Sequence, residues 1–242
     1  MKITALSGDR VVTQGTGFTF SNLDKTWLTS NRHVMIGRRP GTNEYVAPQV
    51  GQPTAIELTW VNDDLTTGDL RLELFDSDRN PKWIEHPPLA HELDLVSIEV
   101  PAATFVDVDI TDALDENPPH VPTSGDPILV IGFPFGVSAG IEGLPVAFSG
   151  IIASPPGVPL DDKPRFFIDS RTRPGLSGSP VYYYPNCLRQ RLEDESDKRT
   201  PAVMFLGMYC GRLNENSDLG YVIDAEEIAR TMVHQQRGKL FP

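Results

Sequence analysis

The chain has 242 residues, enough for one large β-rich domain or two small fused barrels. Its formal net charge of −12 gives a surface that repels phosphate backbones, so nucleic acid and anionic membrane are disfavoured as partners. No stretch is long and apolar enough to span a bilayer, and 22 prolines with 20 glycines favour many turns and short strands over long helices.

Met1 to Asp9 carry neither the apolar run nor the cleavage pattern of a signal peptide, which predicts a cytoplasmic protein. Residues 11–20 and 26–35 alternate apolar and polar side chains around the turn 21–25. They read as a hairpin whose second strand runs into His33. Residues 37–55, rich in Arg, Pro, Gly and Asn, read as a loop. Residues 55–61 and 70–75 alternate around residues 62–68 and predict a second hairpin. Residues 76–81 carry acidic side chains at alternate places but lack the glycine and closing glutamate of a calcium loop, so a solvated turn is expected. His86 and His91 stand in polar, Pro-rich sequence and are expected as exposed loop histidines. Residues 93–100 predict a mostly buried strand. Asp94 lies in its apolar start, where a carboxylate needs a partner such as the N–H of a neutral histidine.

Residues 101–124 form an acidic, Pro-rich connection. The boundary between two halves is placed there, with residues 1–115 carrying His33 and Asp94 and residues 116–242 carrying Ser177. Strand-like runs follow at 127–136, 145–153, 165–170, 181–184, 203–211 and 220–223. The charge-dense residues 185–201 predict an exposed, mobile loop. Asp224 is placed to cap a helix over 225–235, with Glu226 and Glu227 in its first turn. Cys187 and Cys210 lack a CxxC spacing and suggest neither a metal site nor a disulfide framework, and no cofactor is expected.

The stretch Arg173-Pro174-Gly175-Leu176-Ser177-Gly178-Ser179-Pro180-Val181 sets a serine between glycines, with prolines on both flanks. Taken alone it is a polar turn of the kind Gly, Ser and Pro make everywhere. A serine hydroxyl is a weak nucleophile without a neighbouring base. Glycine frees the backbone to aim N–H groups inward, and those of Gly175 and Ser177 would suit the oxyanion of acyl transfer. A base and a carboxylate precede the serine in the order His33, Asp94, Ser177.

Five segments keep one order along the chain. They are Gly15-Thr16-Gly17-Phe18, Leu28-Thr29-Ser30-Asn31-Arg32-His33-Val34, Asp94-Leu95-Val96, Ile131-Gly132-Phe133-Pro134-Phe135-Gly136 and Pro174-Gly175-Leu176-Ser177-Gly178-Ser179-Pro180. Jointly they resemble a trypsin-like serine peptidase of the chymotrypsin fold, nearer to the V8-like and HtrA-like branch than to the digestive enzymes. The resemblance implies an all-β chain of two six-stranded antiparallel β-barrels with a C-terminal α-helix and a site between the barrels. It implies a serine endopeptidase acting on polypeptide substrate through the triad His33, Asp94 and Ser177, with Gly175 and Ser177 N–H as the oxyanion hole. The strand ending at Gly211 would pair with the substrate backbone.

This chain departs from that pattern in places. Leu176 stands where digestive members have an acidic residue, so activation by an ion pair to a freed N-terminus is not open to it. Ser179 replaces a glycine, as in V8-like relatives, and the segment from His33 to Asp94 holds a hairpin more than HtrA-like members. A regulatory protein partner is left open. Arg171, Thr172, Tyr209 and Gly211 should border the primary substrate pocket. Arg171 pointing inward would favour an acidic side chain before the scissile bond; pointing outward, as long exposed arginines usually do, it would leave the pocket small and neutral. If the hairpin of residues 181–210 closes at the acidic loop, Cys210 lies near Ser177 and Cys187 far along it, which predicts two free thiols.

Two rival readings stand beside this one. An α/β-hydrolase would use Ser177, Asp224 and His234, but Ser179 occupies the second glycine place of its nucleophile elbow, and Pro180 with three tyrosines follows instead of a helix. The other rival keeps the barrels as a catalytically silent or gated module that binds peptides.

Overall fold

A computed structural model of the chain describes residues 1–22, 25–101, 108, 121–184 and 203–239. The first half contains β1 (Lys2–Ser7), β2 (Arg10–Thr16), β3 (Phe18–Asn22), β4 (Lys25–Ser30), β5 (Ala55–Val61), β6 (Thr67–Glu73), β7 (Trp83–Glu85) and β8 (Val96–Val100). They form two four-stranded sheets in the orders β2-β1-β5-β6 and β3-β4-β8-β7. β2 and β3 are one run of chain that passes from the first sheet to the second at Gly17. The opposite edges touch where Phe75 bridges Pro81 and Lys82 N–H donates to Leu74 O at 2.9 Å. The first half is therefore a pair of sheets joined at both edges, which stands where the resemblance implied the first barrel.

Alternation explains the inward faces. Ile56, Leu58 and Trp60 on β5 are buried at every second place and meet Ile3, Leu28, Leu74 and Trp83 in one apolar cluster. The hairpin that looked surplus in the sequence completes the first sheet, with Ile3 opposite Leu58 and Ile56 opposite Leu72. The strand it pairs with, β1, was not foreseen. The predicted hairpin over 11–35 is corrected accordingly: β2 pairs back to β1 in one hairpin, and β3 pairs with β4 in another.

The second half contains β9 (Pro127–Gly132), β10 (Val146–Ile152), β11 (Arg165–Ser170), β12 (Pro180–Tyr183), β13 (Met204–Arg212) and β14 (Leu219–Asp224). They close into a six-stranded barrel in the order β10-β11-β14-β13-β12-β9, around Val130, Phe166, Ile168, Leu176, Val181 and Val222. The helix following β14, Ala225–His234, has Asp224 at its N-cap position without a side-chain cap bond, and Glu226 and Glu227 in its first turn.

A third cluster ties the halves together. Phe18, Trp27, Leu93 and Leu95 pack against Phe205, Met208, Ile228 and Met232, with the rings of Phe18 and Phe205 5.3 Å apart. Beyond the C-terminal helix, Glu85 N–H donates to Gln236 O at 2.8 Å and Gly238 N–H to Trp83 O at 2.9 Å. The helix also corrects the reading of His86. That ring is buried beneath it, with Nε2 2.5 Å from Glu227 Oε2. His91 is half-buried.

Every strand pair named here is antiparallel. An α/β-hydrolase needs a mostly parallel sheet between helices, so that reading falls, and His234 is exposed at the helix end. Cys187, the loop over 185–201 and most of the 101–124 connection with its boundary lie outside the described residues.

Candidate active site

β4 ends at Ser30, and the chain then makes a single helical turn, α1 (Arg32–Met35). Val34 and Met35 N–H donate to Asn31 O at 3.1 and 2.9 Å. His33 thus sits on a turn, where the sequence predicted the end of a strand. Arg32, Val34 and Met35 are buried around it and fix the turn, leaving the His33 side chain 24% exposed. The Arg32 guanidinium is paired with the buried Glu85 carboxylate and donates to Asn43 Oδ1 at 2.8 Å; Glu85 also accepts from Trp83 Nε1–H at 3.1 Å.

Asp94 lies in the loop between the short 3-10 turn Ala90–Glu92 and β8, before the strand rather than in it. Asn31 Nδ2–H donates to its carbonyl at 2.8 Å. Its carboxylate meets His33 twice: Oδ1 accepts the His33 backbone N–H at 3.0 Å, and Oδ2 lies 2.6 Å from Nδ1. A carboxylate there fixes the proton on Nδ1 and leaves Nε2 with its lone pair. Burial by itself lowers the His33 pKa. The charge and hydrogen bond of Asp94 raise it, Arg39 opposes them, and the net shift is upward.

The Ser177 loop is two β-turns in succession. Leu176 N–H donates to Arg173 O at 3.1 Å, and Ser179 N–H donates to Leu176 O at 2.9 Å. Pro174 and Ser177 hold the second place of each turn, and Gly175 (φ +93°) and Gly178 (φ +86°) the third. A positive φ at the third place is the demand of a type II turn, and glycine meets it without a Cβ clash. The spacing of the glycines is therefore a backbone instruction that lifts Ser177 onto a corner. Among the described residues the N–H groups of Gly175 and Ser177 donate to nothing, while those of Leu176, Gly178 and Ser179 are all used.

Distant segments hold this loop. Thr16 is the hub: its N–H donates to Ser177 O at 2.8 Å, its hydroxyl to Gly175 O at 2.9 Å, and it accepts from Phe133 N–H at 3.0 Å and from the Ser30 hydroxyl at 2.6 Å. Phe135 N–H donates to Pro174 O at 2.6 Å. A side chain on Gly15 would run into the Val34 methyls and Ser177 O. Opposite, Gly178 N–H donates to Tyr209 O and Tyr209 N–H to Ser179 O, both at 2.9 Å. The next residue, Cys210, carries a free thiol that burial pushes up first, with the nearby Asp94 charge adding to the shift and Asn31 opposing it. The loops of His33, Asp94 and Ser177 are thus joined through Thr16, Val34 and the Tyr209–Cys210 pair. No hydrogen bond links the Ser177 hydroxyl to the imidazole among the described residues. A loose nucleophile–base contact is ordinary in a site without substrate.

Neither a protein-family profile nor a curated protein matches the chain. Solved structures do. The serine endoprotease from Yersinia pestis is 15% identical with a TM-score of 0.58 over 97% of this chain, which spans 61% of that protein's length. The Rv3671c protease from M. tuberculosis in its active form is 18% identical with a TM-score of 0.56, over all of this chain and 82% of that one. Deg5 is 15% identical with a TM-score of 0.54, over 96% of this chain and 86% of that one. The chain has the trypsin-like serine protease fold.

Within the trypsin-like fold of this chain, the four residues named for the pocket separate. Arg171 is exposed, with its side chain outward. Thr172 and Tyr209 are buried and hydrogen-bonded to each other at 2.6 Å. Gly211 is half-exposed on β13, opposite Tyr221 of β14. Sequence reasoning missed the buried Arg32–Glu85 pair behind His33 and the hub role of Thr16. The second had a signal: Thr16 stands in one of the five ordered segments.

Proposed function

We propose that this chain is a serine endopeptidase of the V8-like and HtrA-like kind, cleaving polypeptides through an acyl-enzyme on Ser177. The observation that carries the reading is the double hydrogen bond from His33 to Asp94, which leaves Nε2 as the base. In the first step Nε2 takes the Ser177 proton as Oγ bonds to the scissile carbonyl carbon. The carbonyl electron pair moves to oxygen, where the idle N–H groups of Gly175 and Ser177 receive it. Collapse breaks the C–N bond, and the leaving amine takes the proton from His33. Water then repeats the sequence, releasing the acid and restoring the serine. Asp94 holds the tautomer and stabilises the imidazolium. Past Tyr209 the β13 edge facing the serine loop carries no strand partner among the described residues, which suits a substrate strand along residues 210–212. The reaction needs no cofactor.

A serine-directed fluorophosphonate tests this. Labelling of the wild type that vanishes in Ser177→Ala supports the reading. Labelling that grows when a peptide is added marks one variant of the reading, a gated site that closes on substrate. A folded wild-type chain that never labels, with or without peptide, leaves only a silent peptide-binding module.

A further inference from the structure

The reading above requires the side chain before the scissile bond to occupy one particular space. With the carbonyl carbon at Ser177 Oγ, its oxygen between the Gly175 and Ser177 N–H groups and its backbone along residues 210–212, that side chain points between residues 171–176 and the β13–β14 ladder. The structure has a side chain of its own in that space. Tyr209 leaves β13 with its N–H on Ser179 O and its carbonyl on Gly178 N–H, so its backbone cannot shift without moving the serine loop. Its ring reaches from the loop to β14. The hydroxyl lies 2.6 Å from Thr172 Oγ1, and the ring edge lies flat on Gly220, where a Cβ would stand 2.5 Å from Tyr209 Cε2. Gly220 is opposite Arg212 in the ladder, next to the strand edge left for substrate. Both ends of this bridge are dry: Tyr209 is 2% exposed and Thr172 not at all.

We infer that Tyr209 fills the primary pocket and limits the residue before the scissile bond to small, uncharged side chains such as those of Gly, Ala and Ser. The inference rests on the peptidase reading and names its substrate class. A leucine, phenylalanine or lysine side chain would need the volume the ring holds. Among the described residues no unengaged charge reaches the ring: Arg171 points to solvent, Arg212, whose charge acts on the phenol, donates outward to Glu215 O at 3.0 Å, and burial pushes the Tyr209 phenol up to about 12, so it is neutral. Tyr209 also packs with Leu176 and Val222 in the barrel core. A role confined to that core would leave the cleavage profile untouched when the ring is shortened.

The test uses the full chain as wild type, Tyr209→Phe and Tyr209→Val. Each is titrated with a fluorophosphonate to count working sites, then given a mixed peptide library whose new ends are read by mass spectrometry. The wild type is expected to cleave after small residues. Tyr209→Phe keeps the ring and should keep the size limit. Tyr209→Val should raise the kcat/KM ratio for Leu or Phe over Ala by about tenfold or more, the discrimination a few methylenes provide in an apolar pocket. A labelled Tyr209→Val with the wild-type profile overturns the inference and spares the peptidase reading. Should Tyr209→Val fail to fold, the wild-type profile still decides, because ready cleavage after Leu, Phe, Lys or Glu contradicts a filled pocket. A wild type that neither labels nor cleaves ends the peptidase reading, and the pocket with it.

Discussion

His33–Asp94 and His86–Glu227 are nearly the same pair by distance, 2.6 and 2.5 Å between nitrogen and carboxylate oxygen. Their surroundings differ. The His33 side chain is 24% exposed, whereas the His86 side chain is 2% exposed, sealed between the end of β7 and the C-terminal helix. The titration differs to match. The net shift of His33 is upward, while burial outweighs the attraction of Glu227 and lowers His86, with Arg230 and His234 pushing the same way. A neutral His86 donates Nε2–H to Glu227 and leaves Nδ1 buried without a partner among the described residues. A histidine beside a carboxylate is therefore not yet a base. On the peptidase reading one pair leaves a lone pair for a hydroxyl; the other fastens two halves of a chain.

The sharpest way to break that contrast is kinetic. His33→Ala should lower kcat/KM on a cleaved peptide by about 10⁴–10⁶-fold, and Asp94→Asn by about 10⁴-fold through loss of the tautomer. His86→Ala should lower it less than about tenfold per folded molecule, because it touches none of the reacting groups. Equal losses at the two histidines would remove the distinction.

Next in size is stability, read as urea unfolding at pH 7. Glu85→Ala leaves the Arg32 guanidinium buried and unpaired behind His33, and should cost about 3–5 kcal/mol. Glu227→Ala strands the His86 N–H without its acceptor, a smaller loss of about 1–3 kcal/mol. Glu99→Ala breaks only the exposed pair to Lys25 and should leave the midpoint close to wild type. A larger loss from Glu227→Ala than from Glu85→Ala would mean that the tie between the halves, rather than the support of α1, is the stronger buried polar contact.

The same contrast marks what was legible in the sequence. The serine loop was legible because Gly175 and Gly178 write their turn into neighbouring positions. The second barrel was legible too: its strands lie within a few residues of the alternating runs. Features closed by distant partners were not. His86 looked like a loop residue because its acceptor, Glu227, lies on a helix 141 residues later. The Arg32–Glu85 pair went unseen because its partners lie 53 residues apart. The single turn of α1 is too short for a 3.6-residue period to show, so it read as the end of β4. The passage of one run from β2 to β3 was hidden because alternation tells which face is buried, not which sheet a strand joins.

The smallest expected effects are those of pH, and they carry opposite signs at the two histidines. An unfolded histidine titrates near 6.5. Above that value the folded chain still holds a proton on His33, so this group's contribution to stability is full at lower pH and fades as pH rises through its folded pKa. His86 runs the other way. Its contribution is full above about 6.5 and is lost as pH falls, because the unfolded chain gains a proton that the folded chain refuses. Asp224, whose carboxyl burial pushes up to about 6, adds a contribution that fades as pH rises toward that value, so the comparison belongs in an Asp224→Asn background. There, the Met1 amine, whose pKa burial lowers to about 5, keeps its own slope, and His86→Gln should reduce the slope of the stability curve below pH ~6.5 while His33→Gln changes it above. The peptidase reading adds one constraint: the acid limb of kcat/KM must fall above pH ~6.5, because His33 has to lose its proton before it can take one from Ser177. An acid limb well below that pH, with Asp94→Asn leaving it in place, would show that Asp94 does not set the charge of the ring in the working enzyme.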